Sequence, residues 1–175
     1  MTAGRRRLAV GTVAIGLGLM MAMDQLASSA ARAARIQSWA LEAGAEGAFI
    51  HSALAHHDDL LVVERLAALG QRDDLAWAVV LDTAGRARFH TNVADVGKVY
   101  DSAIAKRALA ATAPLVQELA EVGIVEVDVP VGAGSVLRAG FTTRALDAAS
   151  RQVWTGAAVA VMAAVVAGLL LRTPG

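Results

Sequence analysis

The sequence predicts an α+β protein: a five-stranded antiparallel sheet with a long N-terminal helix, set between two transmembrane helices. Three observations carry this. Residues 8–23 and 153–171 are uncharged apolar runs. A proline-free, alanine-rich stretch follows the first run. Short β-type segments separated by glycine turns then fill the second half of the middle region.

The run at 153–171 has 19 residues between Arg151 and Arg172, with Trp154 at its edge. As a helix it would measure about 28 Å, enough for a hydrocarbon core. The run at 8–23 is shorter and follows Arg5, Arg6 and Arg7. By the positive-inside rule these arginines place residues 1–7 in the cytoplasm. The expected layout is therefore a cytoplasmic N-terminus at 1–7, a span at 8–23, an extracytoplasmic (periplasmic) domain at 24–152 with its sheet core at about 76–143, a span at 153–171 and a cytoplasmic tail at 172–175. The expectation is a two-pass protein of a bacterial inner membrane. A cleaved signal peptide is the rival reading of the first run, with Ser28-Ser29-Ala30 or Ala31-Arg32-Ala33 as the cleavage region. Small residues recur every four positions at Gly156, Ala160, Ala164 and Gly168, and again at Ala14, Gly18 and Ala22. Such stripes let helices approach closely and fit span-to-span or homodimer packing.

Net charge is zero, which gives no footprint for nucleic-acid binding. Setting aside Arg5, Arg6, Arg7 and Arg172 leaves 12 basic residues against 16 acidic ones in the middle. There is no cysteine, so disulfides and thiolate chemistry are excluded.

Along the domain, residues 25–56 read as a helix, with Ile36, Trp39, Ala40 and Ala43 at partial helical spacing and Gly44 and Gly47 as points of weakness. Residues 58–69 read as a second helix, started by Asp58 and Asp59 and stopped by Gly70. Its expected apolar stripe is Leu60, Val63, Leu66 and Ala67. Residues 77–81 and 86–91 form a hairpin around Asp82-Thr83-Ala84-Gly85, where the Asp82 side chain stabilises the turn. A loop at 92–100 and a short helix at 102–111 follow, then residues 115–119, read as a strand in preference to a continued helix, strands at 124–129 and 135–142, and a closing helix at 144–152. In the fourth strand Glu126 and Asp128 alternate with Val127 and Val129.

The stretch Val80 to Arg86, then Phe89-His90-Thr91-Asn92, then Val96-Gly97-Lys98, resembles the core of extracytoplasmic PAS-like sensor domains of the single Cache type. Val127-Asp128-Val129-Pro130 and the strand from Val136 to Thr142 look like that family's last hairpin, and the resemblance spans about 54–146. It implies a small ligand, often a carboxylate or an amino acid, held on the sheet face under the loops. Such domains usually serve histidine kinases, chemoreceptors or cyclic-dinucleotide enzymes. After Leu171 this sequence carries only Arg172-Thr173-Pro174-Gly175. The expected output is therefore a shift passed through the membrane helices to a separate membrane protein, such as a sensor kinase or receptor. A non-sensing accessory or assembly subunit of a membrane complex is the alternative.

The candidate anion-binding residues are Arg88 and His90, two apart on one strand, with Lys98 in the following loop and Arg138 on the last strand. Guanidinium holds carboxylate in two-point fashion, and imidazole adds a hydrogen bond. Arg88 and His90, with Arg86, also read as residues facing water on an antiparallel sheet, and Arg138 also reads as a solvated strand residue. His51, His56 and His57 beside Asp58 and Asp59 read as a surface cluster at a helix junction in preference to a metal site, and no cofactor is expected. The carboxylates read as scattered surface positions. No catalytic triad in an elbow, phosphate loop or helical HExxH is present, so an enzyme is not expected.

Overall fold

A computed structural model describes residues 3–144 and 146, with side chains from residue 21 onward. These residues fall into two compact units. One, Arg35–Ala145, contains the sheet, and the other holds the described residues before Arg35 together with Leu146.

The elements are helix α1 (Ala3–Ala55), helix α2 (Asp59–Leu69), strands β1 (Leu75–Leu81) and β2 (Ala87–His90), helix α3 (Ala103–Ala110), and strands β3 (Leu115–Leu119), β4 (Ile124–Pro130) and β5 (Val136–Thr142). The five strands form one antiparallel sheet in the order β2-β1-β5-β4-β3. The α+β class, the five strands and the long N-terminal helix thus match the expectation. Among the described residues no helix is long and apolar enough to cross a membrane. The expected span at 153–171, its stripe at Gly156, Ala160, Ala164 and Gly168, and most of the closing helix at 144–152 lie outside the described residues. The run at 8–23 belongs to α1 by its backbone, and the surroundings of Ala14 and Gly18 lie outside the description.

Register sorts the strand residues onto two faces, because directly paired antiparallel residues point the same way. On one face α1 packs its buried Trp39, Ala43, Gly47 and Ile50. Trp39 stacks on Phe141 with ring centroids 4.9 Å apart and planes 8° apart. Gly47 lies within the unbroken run of α1. It lets the helix press onto the sheet, since a Cβ there would run into the Val129 side chain. The second face carries a cluster of Val79, Leu81 and Val136 with Ala87, closed by Ala105 and Ala108 of α3 and by the flanking Trp77, Tyr100 and Leu109.

One expected pattern is corrected. In α2 the buried residues are Val62 and Leu66, whereas Leu60 and Val63 are 69% and 50% exposed. Asp58 caps the helix, accepting from the Leu61 amide at 3.1 Å. The cap and helix limits follow the sequence, but the direction the helix presents is set by where it docks. The hairpin turn is as expected: Asp82 Oδ1 accepts from the Ala84 and Arg86 amides, both at 2.9 Å, and Gly85 takes φ 75°.

Candidate functional site

The α3-side face of the central strands carries charge where apolar residues would be expected. Register places Asp128 beside Arg138, with Arg138 beside Val79 of β1. Glu126 lies beside Gln117 on β3 and Gly140 on β5, and Gly140 beside Trp77. Glu126 and Asp128 are fully buried, and Gln117 and Arg138 nearly so. The period-two alternation that puts Val125, Val127 and Val129 against the α1 side aims both acids at the α3 side. They are therefore not surface carboxylates, because β4 lies between β3 and β5 and both of its faces are covered.

Arg138 is the counter-charge. Its Nε and Nη2 lie 2.7 and 2.5 Å from Glu126 Oε1, and its Nε lies 3.4 Å from Asp128 Oδ1. Gln117 Nε2 donates to Asp128 Oδ2 at 2.7 Å. Glu126 Oε2 and Asp128 Oδ1 accept no hydrogen bond. The guanidinium also lies 5.5 Å from the Trp77 ring centroid and 5.8 Å from that of Tyr100. Gly140 makes room for the indole: a Cβ there would stand 2.6–2.8 Å from three Trp77 ring atoms. Burial, then the neighbouring Glu126 carboxyl, push the Asp128 carboxyl up to about 8, outweighing Gln117 and Arg138.

The four residues singled out from the sequence are dispersed among different partners. Arg138 belongs to the buried network. Arg88 falls at a β-bulge, since Leu81 pairs with Ala87 and Val80 with Phe89. It reaches Asp59 of α2 at 3.4 Å and lies over the Phe89 ring. His90 and Lys98 do come together, around Asp95: His90 Nε2 is 4.0 Å from that carboxylate, and Lys98 is ion-paired with it. Burial lowers the His90 pKa against the opposing pull of Asp95. His51 meets the Val131 carbonyl and His56 the Ser52 carbonyl, while His57 takes φ 57° at the helix junction.

Sequence reasoning missed Glu126, Asp128, Gln117, Trp77 and Tyr100 as one group. The available signal was two acids in a strand whose sequence neighbours are all aliphatic. A second charged cluster, also missed, ties α1 to the start of the sheet. Asp74 accepts from Trp39 Nε1 at 2.8 Å and Arg35 at 2.9 Å, and Arg72, itself paired with Glu42, grips it from the other side. Hydrogen bonding from Arg72 leads in holding the Asp74 carboxyl down at about 2. This cluster borders an open groove of about 1040 Å³ whose lining includes Arg35, Arg72, Asp74, Gly123 and Arg144.

Comparison with known proteins finds no matching family model and no similar curated protein.

Proposed function

We propose that this protein is a membrane-anchored, extracytoplasmic sensor or signalling module of bacterial type. Its PAS-like, single-Cache-like domain responds to a small ligand or partner and passes a shift through two transmembrane helices to a separate membrane protein. The observation that carries the reading is the buried Glu126–Asp128–Arg138–Gln117 network on a sheet face covered by α3 and by Tyr100. Structural economy alone favours apolar residues at such positions, because burying charge costs more than the pairing commonly returns. The five-stranded antiparallel sheet with its long leading helix accords with the resemblance seen in residues 80–98. The two apolar runs of the sequence supply the anchors.

The same geometry argues about ligand class. Arg138 is already matched to two carboxylates, which weakens it as a holder of an acidic ligand. His90 and Lys98 share Asp95 in the same way. This favours the second reading, an accessory subunit that assembles with a membrane complex without sensing a small acid. The two readings separate by experiment. The full chain, purified in mild detergent, is screened by thermal shift against small carboxylates and amino acids at several pH values and checked for a stoichiometric membrane partner. A specific shift supports sensing. A partner without any shift supports assembly. Neither a partner nor a shift overturns both.

A further inference from the structure

We propose that Glu126 and Asp128 form a proton-binding site on the covered sheet face, sharing a single proton that the domain gives up to water as the medium turns alkaline, with Arg138 as the fixed counter-charge. The geometry is that of an acid pair one charge short of neutralisation. Two fully buried carboxyl groups face one guanidinium, and Gln117 adds a donor but no charge. Each acid keeps one oxygen without a hydrogen-bond partner, Glu126 Oε2 and Asp128 Oδ1. A proton on one of them supplies the missing donor and brings the trio to zero net charge. Like-charged carboxyls in one site cannot both ionise cheaply.

Among the described residues, no other cation stands in for that proton. From β1 the group is faced by Trp77 and Val79, from β3 by Gln117, and from β5 by Arg138. From α3 come Ala105 and Ala108, while Lys106 and Arg107 of that helix are exposed. From the preceding segment comes Tyr100, with Asp95, Lys98 and His90 beyond it, where Lys98 is engaged with Asp95. The raised Asp128 carboxyl agrees in direction. Release of the proton turns one –COOH into –COO⁻ and leaves two negative charges against one positive charge beneath α3 and Tyr100. The expected consequence is loosening of α3 and of the loop before it. This deepens the sensor reading, on which it rests for its biological use, by naming the proton as what the face binds.

The test is the thermal midpoint of the full chain in detergent from pH 5 to 9, for the wild type, Asp128→Asn and Glu126→Gln. The wild type is expected to lose stability steadily from pH 5 to about pH 8 and to level off above that. Asp128→Asn mimics the protonated acid, so its profile is expected to be flatter, ending about 5 °C or more above the wild type at pH 9. Glu126→Gln removes the repelling charge and is expected to move the decline to lower pH. A flat wild-type profile, or an undiminished decline in Asp128→Asn, overturns the proposal. If neither variant folds, carboxyl-carbon NMR of the wild type decides. A carboxyl titrating near pH 8 supports the site, and all carboxyls titrating below pH 6 sink it. Partner co-purification is a separate readout: a partner without the titration discards only the proton site, and the titration without a partner or ligand shift discards both readings of the function and leaves the proton site.

Discussion

Arg138 grips Glu126 through two nitrogens, Nε at 2.7 Å and Nη2 at 2.5 Å, both on the single oxygen Oε1. The contact sits between paired strands, with the Trp77 and Tyr100 rings near the guanidinium. Removing the cation leaves two buried acids and one shared proton. Arg138→Leu is therefore expected to destabilise the domain by about 3–5 kcal/mol at neutral pH. Combining it with Glu126→Gln and Asp128→Asn is expected to restore much of that loss. Urea denaturation of the three chains measures both effects. Equal stability of the single and triple variants would contradict the assignment.

Gly140 is small because Trp77 lies across it. Its replacement by alanine must displace the indole or separate β1 from β5. The expected cost of Gly140→Ala is about 1–3 kcal/mol, as for overpacking elsewhere. A change in tryptophan emission should accompany it, and unaltered emission at wild-type stability would show that the indole lies elsewhere.

The docking of α2 is tested by two neighbours. Val62 is fully buried and Val63 is half exposed. Val62→Ala is expected to cost about 2 kcal/mol and Val63→Ala less than about 0.5 kcal/mol. The reverse order would restore the stripe read from the sequence.

Asp74 gives the acid limb of stability. Its carboxyl is held at about 2 in the folded chain, below the ordinary 3.8. A depressed carboxyl stabilises the fold above its unfolded-state pKa, so the contribution is present above about pH 4 and lost as pH falls toward 2. Asp74→Asn is expected to lower stability at pH 7 by about 1–2 kcal/mol and to flatten the decline between pH 4 and 2, read by denaturant titration at each pH. A wild-type decline of the same steepness in the variant would assign the acid limb to other groups.

Much of the fold was written locally. The Asp58 cap, the Asp82–Gly85 turn, the Ser102 start of α3 and the alternation of β4 each depend on residues a few positions apart, so pattern and turn chemistry reveal them. The candidate site was far less legible. Glu126 and Asp128 alternate correctly, but the same alternation serves a solvated face or a covered one. Only the placement of β4 inside the sheet, with α3 above it, makes those positions buried. Arg88 and His90 looked like one pair because a strand has period two, and a bulge between β1 and β2 broke that period.

By itself, then, the sequence determined the α+β class, the five strands and most element limits, together with the apolar runs at both ends. Those features arise from short-range preferences that each segment carries wherever it sits. Tertiary structure alone decided which face each strand turns to the interior, which side of α2 docks, and that an acid pair with a single arginine lies under α3. The reason is physical: the ionisation and hydrogen bonding of Asp128 depend on a glutamine eleven residues away and an arginine ten residues away, brought together only by strand pairing.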